Sequence, residues 1–307
     1  MKCEHCGYEA PERAVICPEC GEILPRPKKP AAEEQAKKEP SPAAEKFSMP
    51  FLSAPADLEK ADGIAAEDPE ELRRAAQEKK FRRTRRIVAA AVAFVLILLA
   101  VVYRMDRLEK EPAHLLWSLF FRGLLGMFPI LLLELVADQF IDFFPWDPMT
   151  YLFLAYFVVP GFIEEGVKNR VLRKRTWYDP NFNYRFDGIV YGVFVSLGFA
   201  GVENVLYVLN AGFGTAVVRA IFSIPGHAMF GVVMGFYLSR AKWAEKYGQR
   251  HRMRADLRRS FFVPAVLHGL YDFLLMGFEA VFYFYFAGLV IGVICLLRKS
   301  AREDGPI

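Results

Sequence analysis

The sequence predicts an all-α polytopic membrane protein, a bundle of about seven transmembrane helices preceded by a small zinc ribbon. Three observations carry that prediction. Of 307 residues, 54% are hydrophobic and 15% aromatic, including 28 Phe, more than a soluble chain of this size usually holds. The apolar residues are also unevenly spread: residues 1–86 are polar, charged and proline-bearing, whereas long apolar runs dominate from Ile87 onward. Several of those runs contain isolated acids and histidines. The net charge of +4 is modest, and the Lys and Arg residues sit mostly beside apolar runs. There they set topology, so no nucleic-acid surface is expected.

In chain order, the N-terminus comes first. Met1 leads straight into a cysteine motif, so no signal peptide is expected. Cys3-Glu4-His5-Cys6-Gly7 and Cys17-Pro18-Glu19-Cys20-Gly21 form two CxxCG knuckles. Each pair lets two thiolates reach one ion from a tight turn, and two pairs make a tetrahedral four-cysteine site. Cys3, Cys6, Cys17 and Cys20 are therefore expected to hold a structural Zn²⁺, with His5 a bystander. Two disulfides are the rival reading. A short polar segment needs the metal to fold, which favours zinc, and thiolate ligation suggests the reducing cytoplasm. The fifth cysteine, Cys295, stands alone in the last apolar run as an ordinary packed thiol.

Residues 25–67 turn to Pro, Ala, Glu and Lys without apolar periodicity, the composition of a disordered tether. Asp68-Pro69-Glu70-Glu71 then reads as a helix start, with Asp as N-cap, Pro at the first helical position and acids in the first turn. This juxtamembrane helix, 68–86, runs through basic residues into the membrane domain, 87–300. Spans are expected at about 87–103, 115–137, 149–168, 188–209, 215–238, 261–277 and 279–297. The charge rule pulls in two directions. Basic residues before Ile87, in 169–185, in 239–259 and at Arg298-Lys299 all favour the cytoplasm, which seven simple spans cannot satisfy. The expected location is the cell membrane, with a cytoplasmic ribbon.

Ionisable groups at membrane depth cost several kcal/mol, so a cluster of them points to function. Within Phe162-Ile163-Glu164-Glu165-Gly166-Val167-Lys168, helical spacing sets Lys168 beneath Glu164, while Glu165 points about 100° away. Glu203, followed by Asn204, continues a stripe of Gly188, Gly192 and Ser196, small residues that admit a close partner helix. Arg219, Ser223, His227, Gly231 and Gly235 share another helical face, and His268 and Asp272 lie four apart, so the acid can orient the imidazole. Each feature alone has a bland reading: a structural ion pair, or an interhelical hydrogen bond. Their convergence argues for one polar pocket.

Glu164-Glu165-x-x-Lys168, Phe199-x-x-x-Glu203, Pro225-Gly226-His227 and His268-x-x-x-Asp272 resemble the motifs of the PrsW family of intramembrane proteases. The resemblance runs from about Tyr103 to the seventh span and includes Glu111-Pro112-Ala113-His114 and Asp187-Gly188-Ile189-Val190-Tyr191-Gly192. Each motif is weak, whereas their order over about 190 residues is specific. The family is distantly similar to the CAAX prenyl endopeptidases, from which this chain differs by its Lys, Glu and Asp variants. The resemblance implies a protease of membrane-anchored proteins, with anti-sigma factors as the founding substrate class. It also implies a first cut in regulated proteolysis.

Peptide hydrolysis needs an activated water, an oxyanion stabiliser and a proton for the leaving amine. Glu164 or Glu165 would be the base. His268, oriented by Asp272, would polarise the carbonyl or protonate the nitrogen, with Glu203 and His227 completing the site and Lys168, Asn204 and Arg219 supporting it. In a metal-dependent version Glu203, His227 and His268 are candidate ligands; in a metal-free version the histidines form the oxyanion hole. Both fit the residues, and no HExxH helix is present. The expected partners are a membrane-anchored substrate, the lipid bilayer and a protein bound by the ribbon. A transporter would also need intramembrane acids, but segments 115–297 show no repeated half. A catalytically dead scaffold is the third reading, against which the retained Glu pair and histidines argue.

Overall fold

The computed structural model describes residues 69–307. The expected ribbon with its four cysteines, and the tether to residue 67, lie outside them. The described residues form helices without any strand ladder, in the order α1 (Pro69–Met105), α2 (Ala113–Leu125), α3 (Met127–Phe143), α4 (Pro148–Leu152), α5 (Val159–Thr176), α6 (Asp187–Ile221), α7 (Ser223–Lys246), α8 (Arg250–Gly277) and α9 (Glu279–Arg302). From Pro69, the first described residue, α1 carries the basic residues directly into the first apolar run. A π-helical turn, Phe153–Val158, joins α4 to α5 just before Pro160, which has no N–H to give to a regular ladder.

Seven helical stretches are long and apolar enough to cross a membrane: Thr84–Met105, Ala113–Phe143, Pro148–Thr176, Asp187–Tyr207, Val217–Lys246, Arg250–Gly277 and Glu279–Arg302. The second joins α2 and α3, whose junction at Gly126 keeps helical hydrogen bonds on both sides. The window of the Asp187–Tyr207 span is 78% buried against 11% for α9. Thus α6 is the central post, and α9 lies at the periphery.

Close helix approach is set by glycine. A Cβ added to Gly192 of α6 would strike the backbone of Gly231 in α7, and one on Gly231 would strike Gly192 in return. Likewise, Gly161 of α5 lies against the backbone of Ala265 and Gly269 in α8. Small residues therefore draw α6 to α7 and α5 to α8, the four helices that carry the acids and histidines.

The connector after α1, the α5–α6 loop, the α7–α8 turn and the C-terminal segment gather at one end of the bundle. Their proximity is fixed by contacts: Phe186 N–H donates to Asp304 Oδ1 at 3.0 Å, Arg185 N–H to the Gly305 carbonyl at 3.1 Å, and Tyr191 Oη–H to Glu111. This end is rich in Lys and Arg, and the opposite end carries Asp138, Asp142, Asp147 and Glu279. Seven crossings send residues 69–83 to the acidic end. The conflict among the basic segments therefore falls on α1 alone.

Candidate active site

Four helices bring the predicted residues together. Glu164, Glu165 and Lys168 come from α5, Glu203 from α6, His227 from α7, and His268 with Asp272 from α8. Glu203 lies sixteen residues past the start of α6, about 24 Å along the axis, so the cluster sits deep in the bundle.

Lys168 is its hub. Its Nζ donates to Glu164 Oε2 at 2.9 Å and Glu165 Oε1 at 2.8 Å, and lies 3.1 Å from His227 Nδ1. The ammonium also stands 4.0 Å from the centre of the Phe199 ring. Lys168 lies beneath Glu164, as the sequence spacing set it, and bridges to Glu165 as well.

The contacts of Lys168 also set the tautomer of His227. An ammonium only donates, so Nδ1 accepts from Lys168 and Nε2 carries the proton, donating to Glu203 Oε2 at 2.7 Å. Arg219 Nη2 pairs with the other Glu203 oxygen at 2.5 Å, and its guanidinium lies 3.6 Å over the Tyr207 ring. Arg219 sits on α6, before the break at Phe222, within the same membrane-spanning stretch as His227, Val217–Lys246. His268 turns Nδ1 toward Glu165 Oε1 at 3.0 Å and Nε2 toward Asp272 Oδ2 at 3.3 Å, with Phe230 stacked on its ring at 4.7 Å. Carboxylate oxygens on both sides call for two donors, supplied by an imidazolium or by one protonated acid.

Each histidine thus has an acid behind its Nε2, while Nδ1 of His268 meets Glu165 and Nδ1 of His227 meets the Lys168 ammonium that bridges the two glutamates. Asn204 stays outside the cluster, since its Nδ2 donates to the Ala200 carbonyl of its own helix at 2.8 Å. Sequence reasoning gave no role to Glu134 on α3, yet this acid is within electrostatic range of Glu164 and Glu203. Its only sequence signal was an ionisable group in an apolar run.

Glu165 is fully buried and Glu164, Glu203, His227 and His268 nearly so, while the Asp272 side chain is 25% exposed. The chamber is closed to solvent in this conformation. One ligand atom each from Glu164, Glu165, His227 and His268 falls within 4.8 Å of the others, and Glu165 Oε2 is buried without a hydrogen-bond partner among the described residues. Two imidazoles and two carboxylates at that spacing fit a transition-metal ion. Lys168 now supplies the positive charge at this place. A further group of buried acids, Asp106, Glu111 and Asp187, lies at the basic end.

Comparison with known proteins agrees with this geometry. The model for the "PrsW family intramembrane metalloprotease" matches residues 111–297. The protein named "Protease PrsW" in Bacillus subtilis is 35% identical over 205 residues, 67% of this chain and 89% of that one. Its namesake in Geobacillus kaustophilus is 37% identical over 212 residues, 68% and 88% of the two chains. That of Clostridioides difficile is 34% identical over 186 residues, 59% and 76%. No solved structure matches. With the site built on four helices and the family matched across all of them, this chain belongs to the PrsW family of intramembrane proteases, hydrolases that cut peptide bonds within the membrane.

Proposed function

We propose that the Glu164–Glu165–His227–His268 cluster is the catalytic centre and that its substrates are membrane-anchored proteins. One observation carries this reading: two histidines on separate helices, each backed by an acid at Nε2, turn Nδ1 toward the Glu164–Glu165–Lys168 group, His268 to Glu165 and His227 to the Lys168 ammonium that bridges both glutamates. An acid behind a histidine fixes its tautomer and orientation, as around metal-binding and catalytic imidazoles.

Glu165 is held through Oε1 by both Lys168 and His268, whereas Glu164 is hydrogen-bonded to Lys168 through Oε2. The less constrained carboxylate, Glu164, is the general base that takes the proton of the attacking water. His268 passes a proton to the leaving amine nitrogen and draws support from Asp272. Arg219 and Glu203 hold His227 in place, and Lys168 supplies fixed positive charge near the developing oxyanion. Glu164, Glu165, His227 and His268 are the residues that would hold a metal ion. When bound, such an ion lowers the pKa of its water and polarises the scissile carbonyl. Because Lys168 contacts three of the four, it and a metal compete for the same atoms.

The basic end of the bundle faces the cytoplasm in this reading, since three Lys/Arg-rich segments lie there against one before Ile87. Cys3, Cys6, Cys17 and Cys20 bind structural zinc. A cytoplasmic ribbon would require one of the seven stretches not to cross.

The test is cleavage of a co-expressed, membrane-anchored substrate, with anti-sigma factors the first class to try. Glu164→Gln, Glu165→Gln and His268→Ala, each correctly inserted, abolish cleavage, and full activity in all three refutes the assignment. Metal analysis of protein lacking residues 1–25, alongside cleavage with and without a chelator, separates ribbon zinc from an ion in the bundle.

A further inference from the structure

At the basic end the bundle holds a cavity of about 630 Å³ that the peptidase chemistry does not use. It lies between the C-terminal half of α7, the start of α8 and the last turns of α9, with Arg185 contributed by the segment before α6. Its volume suits a small-molecule ligand. Five permanent cations line it, Arg185, Arg240, Arg252, Arg259 and Lys299, against the two acids Asp256 and Glu303.

Asp256 is already committed. It is buried, and it accepts from Arg240 Nε at 3.2 Å and from Arg259 Nη1 at 2.8 Å. The effect is to hold two guanidinium groups beside each other while both side chains stay about half exposed, at 52% and 53%. Arg185 is laid over the Trp243 ring at 5.2 Å. Preorganised guanidinium forks match the paired oxygens of a phosphate.

An independent observation points to the same ligand. Ser239 Oγ, Trp243 Nε1 and Ser300 Oγ are buried polar atoms without a hydrogen-bond partner among the described residues, and all three residues line this cavity. Ser239 is only 3% exposed. Buried donors left unpaired are costly, and an occupant rich in acceptor oxygens removes that cost.

We propose that this cavity binds a phosphate-ester anion through its guanidinium groups and these three donors. The site lies where the apolar runs of α7 and α9 give way to basic residues, the depth of phospholipid headgroups. The phosphate can come from an anionic phospholipid or from a soluble phosphate compound, and the two sources are separable. The quaternary ammonium of phosphatidylcholine opposes entry among five cations.

The experiment is native mass spectrometry of the detergent-solubilised full chain, titrated with phosphatidylglycerol, with phosphatidylcholine and, separately, with inorganic phosphate. One phosphatidylglycerol is retained per chain in preference to phosphatidylcholine. Arg252→Gln and Lys299→Gln, on exposed side chains, each weaken it about fivefold, and Ser239→Ala weakens it as well. Unchanged helical circular dichroism in each variant excludes misfolding as the cause. Binding of inorganic phosphate that weakens in the same variants, without lipid retention, supports the anion site and assigns a soluble source. Equal retention of both lipids, binding indifferent to all three variants, or no binding of any probe overturns the proposal.

Discussion

Among single residues, Lys168 has the widest consequences. Its ammonium is buried and satisfies both Glu164 and Glu165, so truncating it leaves two acids facing each other in an apolar bundle. Breaking a buried ion pair from one side costs about 3–5 kcal/mol. Lys168→Met is therefore expected to lower the thermal unfolding midpoint in detergent markedly, and an unchanged midpoint would show that the lysine is not a structural counter-ion. Glu111 offers a pH-dependent test outside the spans. Burial pushes its carboxyl up from 4.5 to about 7, the neighbouring charges of Asp106 and Glu109 add to the rise, and the hydrogen bond from Tyr191 opposes it. An acid with a raised pKa in the folded chain binds more protons folded than unfolded, so its contribution to stability falls as pH rises from 4.5 to about 7. Glu111→Gln should flatten that part of the profile of thermal midpoint against pH. An unaltered slope would assign the dependence to other groups.

Between elements, stability and site geometry share the same glycine contacts. Gly192 with Gly231 sets α6 against α7, and Gly161 with Gly269 sets α5 against α8. The cross-helix bonds Glu203–His227 and Glu165–His268 span those same two seams. Gly192→Leu or Gly161→Leu must push backbones apart, an overpacking cost of about 1–3 kcal/mol or more, and should also lower cleavage by lengthening those bonds. Gly288 on α9 meets nothing within 4 Å, so Gly288→Leu should leave both thermal midpoint and cleavage near wild type. Equal effects from all three would mean that the loss reflects the residue type and not the seam. The stripe of Gly188, Gly192 and Ser196 was readable in the sequence because a 3.6-residue period makes a helical face visible in one dimension. Which helix meets that face was not readable.

For the whole molecule, the question is how the chain threads the bilayer. Single cysteines introduced at Arg173 and Arg250 of the basic end, and at Asp147 of the opposite end, should be labelled from opposite sides of the membrane by an impermeant thiol reagent. Labelling of Arg173→Cys and Asp147→Cys from one side would remove the third stretch, Pro148–Thr176, as a crossing. The arrangement also explains why Glu203 can lie deep within α6, the most enclosed post. Neighbouring helices screen its buried acid from lipid, Arg219 neutralises it and His227 donates a hydrogen bond to it.

The amino-acid order alone determined the class of protein, the seven apolar helices, the residues that carry charge into them and their kinship with a protease family. Apolar length, helical period and motif order are all local properties of a chain. The tertiary structure decided the pairings. Lys168 takes both glutamates, Arg219 reaches back to Glu203 from the end of the same helix, Asn204 binds its own backbone, and Glu134 comes near Glu164. These pairings depend on which helical faces meet and at what depth. Backbone contact at glycines fixes that meeting between segments up to about a hundred residues apart, as for Glu165 and His268.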